Sequence, residues 1–228
     1  MIHADDTELF AAMRSNLFTA VVGDILDTMG LLHQFLPPNI KAMRDDMVTI
    51  GRAMPVLEAD FFAVSEQGHA PVSAKPFGLM FAALDSLKPH EVYVASGSSP
   101  RYALWGELMS TRALHLKAAG AVLDGYVRDT SGILALNFPT FGYGSYAQDQ
   151  GPRGKVVDYG VPIEIGGTRI RPGDILFGDR DGVLVIPREA ADQAIRLAFE
   201  KAATESKVRL AIQAGMSTVE AFERFGVM

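Results

Sequence analysis

Short apolar runs separated by turn residues fill the second half of the chain, and this pattern constrains the fold more than any other. From Pro139 to Pro187, strand-forming residues alternate with turn signals such as Gly151-Pro152. Helix-forming segments lie on either side of this stretch, over residues 7–30 and 188–214. Because 228 residues suit one large domain, the pattern predicts a single α/β domain spanning residues 1–228.

Local start and stop signals predict the remaining elements. Ser99 as a cap and Pro100 as the first helical residue predict the clearest helix, which runs to Ala119. Residues 59–78 carry the weakest pattern and are interpreted as a pocket-shaping loop with a short helix. The other predicted features are an N-cap at Thr19, a strand over Met47–Leu57 with a bulge at Gly51, a helix over Met80–Leu87, strands over Glu91–Ala95 and Ala121–Tyr126, and a capping box formed by Ser217 and Glu220.

The composition excludes several classes of function. The chain has no cysteine, which rules out disulfides, thiol nucleophiles and cysteine-ligated metal clusters. Its net charge is −6, and an acidic chain is a poor phosphate binder, so nucleic acid is not an expected partner. Residues 1–6 lack the pattern of a secretory signal, and apolar stretches such as 78–84 are too short to span a bilayer. We therefore expect no membrane association and a cytoplasmic location.

Several common catalytic motifs are missing from the sequence. It contains no GxSxG, no Walker A motif and no GxGxxG at the expected place. The histidines are not spaced as a pair of metal ligands on a helix, which argues against a zinc hydrolase. There are five of them: His3, His33, His69, His90 and His115.

Three local features are candidates for chemistry, and each also has a purely structural interpretation. The small residues before Pro100 either let an anion reach the free N–H groups of a helix start or form an ordinary cap. Glu107 has mostly apolar or small neighbours at helical spacing, so it is either a buried acid that needs a partner or an exposed glutamate. Arg128 and Asp129 follow a buried-type strand, where they either hold an anionic substrate and a cation or form a structural ion pair.

The order and spacing of these residues resemble one family. Glu107, twenty intervening residues and then Arg128-Asp129 are similar to the signature of the RraA-like family. Within it, the chain resembles the class II aldolases that act on 4-hydroxy-4-methyl-2-oxoglutarate and 4-carboxy-4-hydroxy-2-oxoadipate. The resemblance covers most of residues 19–187 and continues in Thr19–Gly30, Ile50–Ala53 and Arg171–Pro187.

This resemblance implies a fold, an assembly and a cofactor. The implied fold is a compact α/β domain, a β/β/α sandwich resembling the swivelling phosphohistidine-type domain of phosphoenolpyruvate-using enzymes, with flanking N- and C-terminal helices. The implied assembly is a homotrimer or a dimer of trimers. The implied cofactor is a divalent cation, Mg²⁺ or Mn²⁺, and the implied partner is a small-molecule 2-oxo acid substrate.

Residue roles carry over by the same resemblance. Asp129 would bind the divalent cation directly, and Glu107 would hold a water molecule on the metal and take part in proton transfer. Arg128 would contact the 2-keto oxygen of the substrate and the region of its leaving hydroxyl. The pyruvyl carboxylate would bind backbone amides slightly beyond Ser98-Ser99, near Ala103, Leu104, Trp105 and Gly106.

Two functions follow as expectations. The first is a metal-dependent aldolase that cleaves a 4-hydroxy-2-oxo acid to pyruvate and a second carbonyl compound, with oxaloacetate decarboxylation by the same enolate chemistry. The second is a protein-binding regulator of a ribonuclease without catalytic activity. Such regulators carry an acid pair where this chain has Gly132 and Ile133, which weakens the second expectation. The aldolases usually carry Asp where this chain has Glu107.

The long C-terminal helix has an apolar face with two interpretations. The face fits packing on the chain's own sheet or contact with another subunit. In the aldolases an acid from a neighbouring subunit completes the site, and Glu205 is the residue considered for that role. The face is formed by Ala194, Ile195, Ala198, Phe199 and Ala202.

Overall fold

The structure, a computed structural model, describes residues 5–61 and 71–227 of the chain. These residues contain seven α-helices and twelve strands. A short 3₁₀-helix, Pro71–Ala74, accompanies them. The helices are α1 (Asp6–Asn16), α2 (Thr19–Thr28), α3 (Met80–Asp85), α4 (Glu107–His115), α5 (Thr130–Leu136), α6 (Ala191–Gln213) and α7 (Thr218–Phe225). The strands are β1 (Lys41–Ala42), β2 (Thr49–Asp60), β3 (Glu91–Ser96), β4 (Ala103–Trp105), β5 (Gly120–Leu123), β6 (Tyr126–Val127), β7 (Thr140–Gly142), β8 (Gly154–Tyr159), β9 (Ile163–Ile165), β10 (Thr168–Ile170), β11 (Ile175–Gly178) and β12 (Val183–Ile186).

Eight of the strands form one mixed sheet. Its order is β1-β7-β5-β3-β2-β11-β12, and β8 also pairs with β2. The central strands β2, β3, β5 and β7 are parallel, whereas the outer pairings are antiparallel. The long strand β2 pairs with β11 through Thr49–Arg52 and with β8 through Val56–Asp60. Two small two-stranded sheets, β4–β6 and β9–β10, lie outside it.

Helices cover one face of the central sheet and a hairpin covers the other. Side chains alternate between the two faces of a strand. Tyr93 and Ala95 of β3 accordingly belong to a core with α3, α4 and α5. Val92 and Val94 face the β9–β10 hairpin. This is the mixed α/β fold that the sequence predicts, and the likeness to the phosphohistidine-type domain stays a prediction.

A third core lies where the terminal helices meet β11 and β12. Helices α1, α2 and α6 bury their apolar sides there against strand residues such as Phe177 and Leu184. The apolar face of α6 therefore packs within the chain, through Ala194, Ile195 and Ala198. Among the described residues no single helix is long and apolar enough to cross a membrane, and α1 and α2 reach that length only together, across a 104° bend.

The helix predicted over Pro100–Ala119 is wrong in its first half. The chain turns through residues 97–102, extends as β4, and becomes helical only at Glu107. Ser99 and Pro100 are good local start signals, but Ala103–Trp105 is buried throughout and pairs with β6. Burial and strand pairing override the local signal, and a three-residue apolar run carries no period that distinguishes strand from helix.

The prediction that Thr19 is an N-cap is also wrong. Thr19 is the first residue of α2 rather than its N-cap, which is Phe18. The backbone N–H and hydroxyl of Thr19 donate to the two carboxylate oxygens of Asp179, at 2.8 and 2.7 Å. The helix start is thus satisfied by an acid 160 residues away, a contact that no local pattern contains.

The register of the β2–β8 pairing shifts between Leu57 and Glu58, where β8 carries the extra residue Val157, and the pairing at Gly51 is regular. Gly51 is required for another reason: a Cβ at this position would lie 2.3 Å from the carbonyl oxygen of His90. The weakly patterned stretch 59–78 contains the end of β2 and the 3₁₀-helix, and the part of that prediction on residues 62–70 lies outside the described residues.

Elements with strong end signals are confirmed. The capping box of Ser217 and Glu220 is present at α7, with both reciprocal hydrogen bonds. The helix predicted over 188–214 is α6, and the predictions over Met80–Leu87 and Glu91–Ala95 match α3 and β3. The stretch 7–30 is helical but is divided into α1 and α2, and the strand predicted over Ala121–Tyr126 is divided between β5 and β6.

Candidate functional site

The small β4–β6 sheet brings the two halves of the acid and Arg-Asp motif together. The strands are parallel, with Ala103 opposite Tyr126 and Trp105 opposite Val127. Each strand runs directly into a helix, β4 into α4 and β6 into α5. Because parallel strands end at the same edge, their two following loops are neighbours, a common location for ligand sites. The backbone N–H of Arg128 donates to the carbonyl of Trp105 at 2.9 Å, which fixes this junction.

Asp129 occupies the N-cap position of α5 in a left-handed conformation, with φ of 54°. Aspartate adopts this conformation more readily than most residues. Its Oδ2 lies 3.4 Å from Nε of Arg128. A Cβ added to Gly106 would lie 2.9 Å from the same Oδ2, so the carboxylate lies directly over the glycine that precedes α4.

Glu107 is the first residue of α4, not a residue two turns inside a helix, and it is exposed. Of the two interpretations of Glu107, the structure supports the exposed glutamate and not the buried acid, because the helix starts seven residues later than its local signals indicate. Its carboxylate lies over the backbone of Gly132 in α5, where an added Cβ would be 2.3 Å from Oε2. Glu107 and Asp129 thus lie at the same helix–helix junction, each against a glycine of the opposite segment.

Asp149 is a site residue that the sequence analysis misses. Nη1 of Arg128 donates to its Oδ1 at 2.6 Å, so Arg128 contacts both Asp129 and Asp149. The N–H of Gly151 donates to Oδ2 of Asp149 at 3.0 Å. The only signal in the sequence is an acid just before the Gly151-Pro152 turn, and such an acid is common in ordinary turns.

A cavity of about 520 Å³ opens at this junction. Its charged and polar wall includes Arg128, Asp129, Asp149 and Gln150. The segment predicted to bind a carboxylate also lines it, through Ala103, Leu104, Trp105 and Gly106. Glu107 is not among its lining residues. The other large apolar residues of the wall are Phe77, Met80, Phe81, Leu84, Leu108 and Met109.

The wall of this cavity is held rigidly from behind. Trp105 is 1% exposed, and its indole Nε1 donates to the hydroxyl of Ser110 at 2.7 Å. The ring stacks near Phe138 with centroids 6.1 Å apart and meets Tyr93 at 4.8 Å. Such contacts fix the orientation of a buried aromatic ring. The backbone of β4 therefore presents a stable surface to the cavity.

The start of α4 provides hydrogen-bond donors beside the carboxylates. The first N–H groups of a helix have no partner within the helix and attract anions. No side chain of residues 5–61 or 71–227 caps α4 at Gly106. Further back, the N–H of Ala103 is used, since it donates to the carbonyl of Gln148 at 2.9 Å. An anion site at this junction therefore belongs at the α4 end of the predicted segment.

A buried acid lies behind the polar wall. Glu58 of β2 is 2% exposed, and its Oε2 accepts a hydrogen bond of 2.8 Å from Nε2 of Gln150. Burial, together with the smaller effect of the nearby charge of Asp60, raises the pKa of Glu58 to about 8. The residue is therefore protonated at neutral pH.

The donor set suits a hard divalent cation that keeps most of its water. Among the described residues, no three His, Asp or Glu side chains form a group that could enclose a metal ion. Mg²⁺ is typically held by one or two carboxylates and several waters. Asp129, in the cavity wall beside Glu107, meets that requirement and is the residue that would hold the ion. Glu205, considered as an acid for a neighbouring site, lines a different cavity together with Phe18.

The chain belongs to the RraA-like family, whose Aldolase/RraA model matches residues 19–185. It is 31% identical over 206 residues to a protein of Halalkalibacterium halodurans named "Putative 4-hydroxy-4-methyl-2-oxoglutarate aldolase", with 90% of this chain and 89% of that protein covered. It is 28% identical over 226 residues to DlpA of Legionella pneumophila. That match covers 99% of this chain but only 35% of DlpA, so the chain spans about a third of that relative.

A solved structure described as one of novel cellulases from gut-associated microbes has a similar fold. The TM-score is 0.80 at 31% identity, and the match covers 89% of this chain and 87% of the other. Together with the family match, this shows that the mixed α/β architecture described above is one that other proteins share.

Proposed function

We propose that this protein is a divalent-metal-dependent aldolase that cleaves a 4-hydroxy-2-oxo acid into pyruvate and a second carbonyl compound. The observation that carries the proposal is the β4–β6 junction, where Arg128, Asp129 and the start of α4 border one cavity. The aldolase names of relatives such as the Halalkalibacterium protein support the same reaction class. Decarboxylation of oxaloacetate, which passes through the same enolate, is included in the proposal.

Asp129 would hold Mg²⁺ or Mn²⁺ through its carboxylate. When bound, such an ion supplies Lewis-acid stabilisation of the negative charge that develops on the 2-oxo group as the C3–C4 bond breaks. The free N–H groups at the start of α4 bind the substrate carboxylate, because they are donors of partial positive charge at the cavity wall.

Arg128 stabilises charge on the substrate oxygens. A guanidinium has five N–H donors, and the contacts to Asp129 and Asp149 engage only its Nε and Nη1 sides. The remaining donors are available to the keto oxygen and to the hydroxyl at C4. Because two carboxylates hold the group in place, it is preorganised for the developing charge.

Glu107 takes part in the transfer of a proton from the C4 hydroxyl of the substrate to C3 of the enolate. Its carboxylate is exposed and lies over Gly132, beside the residue that would hold the cation. We propose that it orients a water molecule that accepts the C4 hydroxyl proton and later protonates the pyruvate enolate at C3. No lysine Schiff base takes part in this scheme.

The test is pyruvate release from a panel of 2-oxo acids with Mg²⁺ or Mn²⁺. The panel includes 4-hydroxy-4-methyl-2-oxoglutarate, 4-carboxy-4-hydroxy-2-oxoadipate and oxaloacetate, with lactate dehydrogenase reporting pyruvate. We expect turnover that a chelator abolishes and added Mg²⁺ restores. Carboxymethylcellulose is the control substrate, and release of reducing sugar from it without pyruvate from the panel would contradict the proposal.

A glycine substitution tests the site without removing a charged group. In Gly106→Ala, the new methyl group would lie 2.9 Å from Oδ2 of Asp129 and would displace the carboxylate. A displacement of this size at a catalytic group costs on the order of 10- to 100-fold in turnover. Its thermal unfolding should shift little, since only the end of one exposed side chain must move. Unchanged kcat and Mg²⁺ dependence in this variant would argue against Asp129 as the residue that holds the cation.

A homotrimer or dimer of trimers is part of the proposal. Phe81 and Leu108 line the cavity yet are 59% and 82% exposed, which is unusual for large apolar side chains and typical of a covered surface. Light scattering coupled to size exclusion checks the assembly, with a mass near 74 kDa or twice that value expected from the 24.6 kDa chain, three times 24.6 being 73.8.

A further inference from the structure

Glu58 is an acid in a position that an apolar side chain would ordinarily fill. It follows Met54 and Val56 on the same face of β2, and those two residues belong to the core beneath α3, α4 and α5. Burying a carboxyl group there costs free energy that a leucine would not cost. One of its oxygens, Oε1, has no hydrogen-bond partner among the described residues. The acid therefore needs an explanation other than packing.

The hydrogen bond of its other oxygen leads to the polar wall of the cavity. Oε2 accepts from Nε2 of Gln150 at 2.8 Å, across 92 residues of sequence. Gln150 is itself 3% exposed and lines the cavity beside Asp149. In this bond the NH₂ end of the Gln150 amide donates and the carboxyl oxygen of Glu58 accepts.

The segment that contains Asp149 and Gln150 has two side-chain contacts. Gln150 is hydrogen-bonded to Glu58, and Asp149 is hydrogen-bonded to Arg128. The turn of this segment is closed by the N–H groups of Arg153 and Gly154, which donate to the carbonyl of Gln150 at 2.7 and 2.9 Å. Asp149 then projects toward Nη1 of Arg128, 2.6 Å away. A path of hydrogen bonds and one peptide link thus connects the buried acid to the guanidinium.

We propose that Glu58 is a positioning residue for Arg128. Through Gln150 it holds the segment 148–151 against the core, and so it keeps Asp149 in the place where it orients the guanidinium toward the cavity. Glu58 touches no substrate in this scheme. Its effect on turnover rests on the proposed aldolase function, whereas its effect on the segment does not.

Three variants separate positioning from packing. Glu58→Gln keeps an oxygen acceptor for Gln150 and is the conservative rescue. Glu58→Leu keeps the volume but removes the acceptor. Val56→Ala is the matched control, since Val56 lies on the same face of the same strand, is fully buried and is part of the core rather than of the bond to Gln150.

Hydrogen–deuterium exchange over residues 148–154 tests the positioning directly. Loss of the Glu58 bond should raise the amide exchange of this segment in Glu58→Leu by about tenfold or more, because local opening becomes easier. The segment should exchange at near wild-type rates in Glu58→Gln and in Val56→Ala. Equal exchange in Glu58→Leu and wild type, or equal acceleration in all three variants, would overturn the proposal.

Kinetics provide the second readout. Since Arg128 acts on charge that develops during the reaction, Glu58→Leu should lower kcat on the order of 10- to 100-fold and change KM by less than about threefold. Glu58→Gln should recover most of this loss, and Val56→Ala should keep wild-type kcat. A wild-type protein that releases no pyruvate refutes the aldolase function alone, because the exchange experiment still decides the role of Glu58.

Discussion

Pyruvate release should fall on the order of a thousandfold or more in Asp129→Ala, the largest effect that the structure predicts. The substitution removes the carboxylate that would hold the divalent cation, and with it the charge that stabilises the developing enolate. Activity should not return at high Mg²⁺, because Asp149, the other carboxylate in contact with Arg128, already accepts hydrogen bonds from Nη1 of Arg128 and from the N–H of Gly151. The measurement is initial rate against metal concentration for wild type and variant.

Two matched variants show whether the loss is chemical or structural. Asp129→Asn removes the charge but keeps a residue that accepts the left-handed conformation at φ of 54°, so it should fold normally and remain inactive. Alanine in that conformation costs about 1 kcal/mol, which predicts a small drop in stability for Asp129→Ala alone. Asp149→Asn removes the other carboxylate on Arg128 and should cost on the order of tenfold. Full turnover of Asp129→Ala with Mg²⁺ would refute the site.

Stability should fall as pH rises from 5 to 9, and Glu58 should be responsible for much of the fall. Burial raises the pKa of Glu58 from 4.5 to about 8, so the native state keeps a proton there that the unfolded chain releases above pH 4.5. The stabilisation is therefore complete below pH 4.5 and is lost as the pH rises through about 8. This shift in the pKa of Glu58 corresponds to a loss of roughly 5 kcal/mol in the free energy of unfolding by pH 9.

Urea denaturation at several pH values checks this prediction. Glu58→Gln cannot ionise and should remove most of the pH dependence, so the variant should be more stable than wild type at pH 9. The groups that act on Glu58 are Asp60, Tyr93 and Tyr102, and the two tyrosines have pKa values raised by burial and stay neutral over this range. Glu223→Gln, at an exposed position of α7, is the control and should keep the wild-type slope. Parallel slopes for Glu58→Gln and wild type would contradict the assignment.

The fold could be predicted from the sequence where its signals are local. The capping box of Ser217 and Glu220 depends only on neighbouring residues, and so does the helical spacing of apolar residues along α6. Both the capping box and the long helix are present in the structure. Arg128 and Asp129 could be singled out because their order after a buried strand matches a family motif. Arg128 and Asp129 line a common cavity with the start of α4 because β4 and β6 pair in parallel. The spacing of residues in the sequence does not specify this pairing.

What the sequence could not provide are contacts between distant segments. Asp149 meets Arg128 across 21 residues, and Glu58 meets Gln150 across 92. Neither acid has a distinctive sequence around it, since Asp149 precedes an ordinary turn and Glu58 lies near the end of a strand. Ser99-Pro100 shows the opposite failure, because a good helix start is overridden by the burial of Ala103–Trp105. Local signals therefore identify elements, and the tertiary pairing decides which residues form the site.

The β4–β6 sheet also determines how this site can be transferred or exchanged. The segments that carry Gly106-Glu107 and Arg128-Asp129 are paired with each other and not with the eight-stranded sheet. Residues 103–129 also contain β5, which pairs with β3 and β7 of the large sheet, so a chimaera that exchanges this stretch exchanges those two pairings as well. A crossover between β4 and β6 would pair strands from two different parents, and a crossover between α5 and Asp149 would separate Arg128 from its second carboxylate.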